Sequence, residues 1–119
     1  MALRIHTLSF MNPVFHEGLN VTVRNGDKWM IININDGLRL VEADRGPRRS
    51  DEPKDAVGMG VLAGKLLLPF KLLPEEVVAL EHDPIYNTKE KLVFAMRSLY
   101  PDFSEDSIVT VLFFVTIEV

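Results

Sequence analysis

A chain of 119 residues, 47% hydrophobic and 25% charged, has the balance of one globular domain, long enough to bury a core and too short for a second. It has no cysteine, which excludes disulfides, thiolate zinc sites and a cysteine nucleophile. A formal net charge of −4 argues against strong non-specific nucleic-acid binding, because the one basic run, Arg45, Arg48 and Arg49, is offset by Asp44, Asp51, Glu52 and Asp55.

The opening MALRIHTLSF alternates too regularly for a signal peptide, and no segment approaches the roughly 20 apolar residues of a membrane span, so a cytoplasmic protein with no membrane partner is expected. Residues 3–10 alternate with the period of a strand that buries one face. Asn12-Pro13 interrupts the pattern, and Val14, Phe15 and Gly18 fit one short helical turn closed by glycine. Residues 20–24 (NVTVR) form a β-branched, alternating strand that ends in an Asn25-Gly26 turn. Residues 29–35 read as the next strand, joined through Asp36-Gly37 as a hairpin to a partner at 38–43. Residues 44–56, with Pro47 and Pro53 and little to bury, read as a mobile surface loop.

Three glycines, Gly58, Gly60 and Gly64, make residues 57–68 a bent strand closely approached by its neighbours rather than a helix. Pro74 at a first helical position, followed by Glu75 and Glu76, opens a short helix to about Glu81. Asn87 and Glu90 form a capping-box pattern for a second helix to Leu99, with Leu92, Ala95, Met96 and Leu99 on one face and Pro101 as its stop. Residues 108–119 are apolar on both faces, the pattern of a central strand. The expected fold is α+β: a small closed or nearly closed β-barrel with two helices from the C-terminal half at one opening.

Three groups of residues, in this order, resemble the ASCH domains, a branch of the PUA-like β-barrels. They are GLNVTVR (Gly18 to Arg24) with Lys28-Trp29, the LRLVEA strand, and a final block from LLPFKLLPEEVVALEH through Leu99-Tyr100-Pro101 to VTVLFFV. The resemblance covers most of the chain and implies a barrel whose cleft receives RNA or one modified base, with a role in RNA metabolism. Of the family signature, Gly18, Thr22 and Arg24 match, whereas Leu19 or Asn20 stands where the family has lysine. Small members of the family are amidohydrolases of acetylated cytidine that use Lys, Thr and Glu. By carry-over Thr22 matches the Thr and Glu81 the Glu, while Lys28 or Lys65 would replace the Lys only by reaching the cleft.

Along NVTVR, Asn20, Thr22 and Arg24 share one face and Val21 and Val23 the other. The polar face reads either as a site that holds a base edge and a phosphate or as an exposed strand face. Glu81, beside His82 and Asp83, reads as a general base raised toward neutrality by burial or as a solvated carboxylate. Trp29 is a base-stacking ring or a core residue, and Tyr100 ends the second helix and packs beneath the barrel. The histidines His6, His16 and His82 form no HExxH pattern, and there is no phosphate loop or nucleophile elbow, so no metal and no cofactor are expected.

The leading expectation is a module binding RNA or a modified nucleoside through Asn20, Thr22, Arg24, Lys28, Trp29 and Glu81. The enzymatic alternative is a hydrolase of acylated cytidine, or a ribonuclease, with Thr22 and Glu81 catalytic. A third is an interaction module that pairs with a partner through its last strand.

Overall fold

Ten residues with two apolar faces, Ile108–Ile117, can be satisfied only with a neighbour on each side and a packed layer on each face. The computed structural model, which describes residues 4–43 and 55–117, gives this strand that position. The strands are β1 (Ile5–Phe10), β2 (Leu19–Asn25), β3 (Gly37–Glu42), β4 (Gly58–Pro69) and β5 (Ile108–Ile117), and they make one sheet in the order β1-β3-β4-β5-β2. β5 runs antiparallel to both β4 and β2, β3 is antiparallel to β4, and β1 is parallel to β3.

The α+β class holds, but the sheet does not close. Its order ends on β1 and β2, and no ladder joins those two edges among the described residues. With both of its edges already paired, β5 has no free backbone along Val109–Val115 for strand pairing with a partner, so the expected interaction through the last strand is not supported.

Each face of the sheet carries its own core. On one side Val21, Val23, Val109 and Val111 pack beneath α1 (Glu75–Val78) and α2 (Lys89–Leu99) through Val78, Leu92 and Met96. On the other, Leu8, Leu38, Leu40, Leu62, Leu112 and Phe114 enclose Phe10 and Ile32, with Trp29 and Phe15 against them. Thr22 lies opposite Leu112, and Asn20 opposite Phe114, so the polar face of β2 looks into this second interior. The register, not the polarity of the side chains, decides that they are buried.

The bend expected in the fourth strand is real. Register shifts between Leu62 and Gly64 at a bulge, and at Gly60 an added Cβ would lie 2.9 Å from the Val115 carbonyl oxygen. Backbone on both sides of that contact leaves no flexible side chain to yield.

Several local expectations are corrected. Residues 29–35 are not a strand: Lys28–Ile31 forms a 3-10 turn, with Met30 N–H bonded to Asp27 and Ile32 N–H to Trp29. Its apolar residues do not alternate in burial; Ile32 is buried while Ile31 and Ile34 are exposed. The Asp36-Gly37 hairpin is likewise absent, because Asn35 takes the positive φ of 76° and Gly37 begins a strand parallel to β1. Residues 14–18 make no helical turn; Asn20 Oδ1 accepts from His16 N–H instead, and Gly18 has φ 79°.

The first helix is one turn long, with Pro74 as its N-cap rather than its first residue, because the chain leaves it after Ala79 to reach β2. The second helix is capped by Thr88, whose hydroxyl accepts from Lys91 N–H, and not by Asn87. The basic run at Arg45, Arg48 and Arg49 and nearly all of the loop expected at 44–56 lie outside the described residues. Among the described residues no helix is long and apolar enough to cross a membrane.

Gly60→Ala is expected to lower stability by about 1–3 kcal/mol, the usual cost of an overpacked site. Gly64→Ala, whose Cβ would meet only Phe113 at 3.7 Å or more, is expected to change it far less. Urea denaturation of the two variants beside the parent checks the difference.

Candidate functional site

As an edge strand, β2 has backbone groups to satisfy on its outer side, and at Val21 the chain itself supplies the partner. Val21 N–H bonds to Leu80 O and His82 N–H bonds to Val21 O, each at 2.9 Å. This two-bond bridge sets Glu81 beside β2. Asp83 anchors the next few residues: its Oδ1 accepts from Ile85 N–H at 3.0 Å and its Oδ2 from Asn12 Nδ2 at 2.9 Å, which ties the segment to the end of β1. Between these elements lies a pocket of about 350 Å³ at the open seam of the sheet. Its walls come from β1 and the residues after it (Ser9, Phe10, Asn12), from Thr22, Val23 and Arg24 of β2, from Glu81–Asp83, and from α2 with Tyr100.

Among the described residues Arg24 is the cation of the pocket. Its side chain is almost fully buried, with the guanidinium carbon 4.7 Å from the Phe10 ring centre and 4.9 Å from that of Trp29. Nε donates to Thr22 Oγ1 at 3.1 Å, and among the described residues the terminal nitrogens have no hydrogen bond and no carboxylate within ion-pair distance. Two aromatic faces replace part of the lost hydration, each contact of this kind being worth about 0.5–2 kcal/mol. Burial lowers the pKa to about 10, opposed by the neighbouring Tyr100 and Glu81, so the group remains a cation at neutral pH.

Glu81 is 5% exposed, which settles the choice between a solvated and a buried carboxyl. Burial raises its pKa to about 8; Arg24 and the Asp83 N–H oppose the rise and Asp83's charge adds to it. Its Oε1 lies 3.2 Å from His82 Nε2. The other ring nitrogen, Nδ1, is 2.9 Å from Val14 O, and a carbonyl can only accept, so Nδ1 carries a proton. Nε2 and Oε1 therefore meet favourably only when they share one further proton. Burial pulls His82 below its ordinary pKa, which leaves that proton on the carboxyl side. Either way Oε2 is a hydrogen-bond acceptor, and it is the one buried side-chain polar atom without a partner among the described residues.

The fold brings Thr22, Arg24 and Glu81 together and leaves the other expected residues outside the pocket. Asn20 is wholly buried but spent on structure, bonding the backbone of His16 and Gly18. Trp29 stacks on Arg24 from the sheet interior rather than offering a free ring, and Lys28 also lies over that ring, with Nζ 4.8 Å from its centre. Lys65 donates to Met30 O at 2.7 Å, so neither lysine lines the pocket or takes the place of the missing family lysine. Tyr100 does not simply pack beneath the sheet; it lines the pocket, near enough to Arg24 to affect its pKa. His82 and Asp83 are the residues that sequence reasoning noted only as neighbours. The signal available for them was their adjacency to Glu81 in a segment too short to continue a helix.

No protein-family model, curated protein or solved structure matches the chain.

The Glu81 carboxyl gives a signed pH prediction. Its folded-state pKa lies above the free value of 4.5, so its contribution to stability is complete below that value and is lost as pH rises through about 8. Glu81→Gln removes the ionisation, and its stability relative to the parent should therefore rise across that interval by a few kcal/mol, on the order of the linkage for a shift of this size. Chemical denaturation of both proteins at a series of pH values measures it; parallel curves would show that Glu81 does not titrate in this window.

Proposed function

We propose that the chain is an ASCH-like domain that binds a nucleoside, or a single base of an RNA, in the seam pocket. The observation that carries this reading is the pairing, in one small cavity, of a buried cation with free donors and a buried carboxyl oxygen with no partner. A site with fixed, unsatisfied donors and acceptors selects a ligand that completes them, since leaving them unpaired costs about 1–3 kcal/mol each. The cavity lies within the range of small-ligand sites, and its mix of Phe10, Tyr86, Tyr100 and apolar α2 residues suits a flat ring. The match at Gly18, Thr22 and Arg24 supports the family likeness, and the open sheet does not add to it.

The second reading is a hydrolase of acylated cytidine, favoured by one observation: a carboxyl whose pKa is raised to about 8 beside a histidine can give or take a proton near neutrality. Among the described residues no lysine lines the pocket, which weighs against the lysine-dependent version of that chemistry.

Titration of the isotope-labelled protein with short single-stranded RNA, cytidine and acetylcytidine tests both. Shifts are expected at Thr22, Arg24, Glu81 and Tyr100, and Arg24→Lys, which loses the planar fork, should bind at least about tenfold more weakly while melting as a folded protein. Unchanged affinity in that variant would remove the pocket from consideration. Turnover of acetylcytidine that disappears in Glu81→Gln would favour the enzyme over the binding module.

A further inference from the structure

Backbone groups along the outer edge of β2 alternate in direction. Val21 turns its N–H and C=O away from β5, to Leu80 and His82, while Gly26 N–H turns inward to Ile108 O. In an antiparallel ladder this phase repeats every second residue, so Val23 also points both of its backbone groups outward. The segment that covers Val21 has by then departed toward Asp83, and among the described residues nothing takes its place at Val23. Val23 lines the pocket, and along β2 it lies between Val21, which bridges to Glu81, and Arg24.

Resting on the nucleoside reading above, we propose that the main-chain N–H and C=O of Val23 are the base-reading edge of this pocket, pairing with an uncharged ring edge that carries an acceptor beside an N–H donor. In extended backbone the two groups of one residue lie side by side and point the same way, the spacing of an amide or amidine edge. The same pocket holds the Arg24 guanidinium as a donor and Glu81 Oε2 as an acceptor, so it offers both kinds of group to a base. By the same phase Asn25 also faces outward, but of the two only Val23 lines the pocket; the Val21 bridge closes the edge above and the chain turns at Gly26, φ 88°, below, which leaves three residues of edge, Val23 to Asn25. A phosphate is an anion without the flat acceptor-and-N–H edge and would face the Asp83 carboxylate, so it is left outside.

The test monitors the Val23 amide signal of the labelled full chain during titration with cytidine and uridine. The same series includes cytidine dimethylated on its exocyclic amine, uridine methylated on its ring N–H, and inorganic phosphate. The proposal expects the Val23 amide proton to move downfield with the parent nucleosides. It also expects the alkylated ligands to bind at least about tenfold more weakly, the loss of about one hydrogen bond. Phosphate should not compete. Nucleosides that bind at Arg24 and Glu81 while the Val23 amide stays unmoved, or alkylated forms that bind equally well, would overturn the Val23 edge and leave the nucleoside reading standing. Absence of binding by any nucleoside would overturn both.

Discussion

Two backbone hydrogen bonds, between Val21 and the segment Leu80–His82, determine where the chemistry of this protein sits. They satisfy one residue of an edge strand that would otherwise face water, each contributing about 0.5–1.5 kcal/mol. To make them the chain abandons α1 after a single turn, which explains why Pro74, Glu75 and Glu76 open a helix that does not continue. The same bonds drive Glu81 into the interior beside Arg24, where an ordinary helix end would have left it in solvent. They also stop at Val21, so the next outward-facing residue, Val23, is left open.

Around that bridge the polar groups form two sets with different solutions to burial. Asn20, His82 and Asp83 are satisfied from within: each bonds backbone or side chains of the loops that pass over β2. Arg24 and Glu81 are not. Arg24 keeps its charge against two ring faces with one hydrogen bond, and Glu81 keeps a bare oxygen with its proton shared toward His82. A fold selected for stability alone would pair this cation and this carboxyl directly or replace both with apolar side chains. Holding them a little apart, with a cavity in front, costs stability and leaves binding capacity, the usual sign of a functional constraint.

Much of this was legible in the sequence because it depends on local pattern. The two-faced run in β5 and the glycine-bent β4 each have one physical interpretation, both stand in the fold as it requires, and NVTVR is the strand that its alternation implies. Residues 28–36 misled because Trp29, Ile31 and Ile34 look like a strand while their burial is set by a 3-10 turn that packs Trp29 onto Arg24. Closure of the sheet was beyond local reading altogether, since it depends on whether β1 and β2 meet. The polar face of β2 was equally undecidable from alternation: a period of two says that Asn20, Thr22 and Arg24 lie together, and only the pairing with Leu112 and Phe114 says that they look inward.

The open seam and the pocket are therefore one feature. Had β1 and β2 paired, their backbone groups would have satisfied one another and the space now flanked by Phe10, Thr22 and Glu81 would be a ladder. Instead β1 pairs in parallel with β3, which carries its end past β2 and leaves Asn12 to reach Asp83 by a side-chain bond. The protein closes this side with side chains and a two-bond bridge, and side-chain closure leaves gaps of molecular size where a ladder would not. A cleft formed in this way has backbone donors and acceptors in its wall from the outset, whichever ligand completes them.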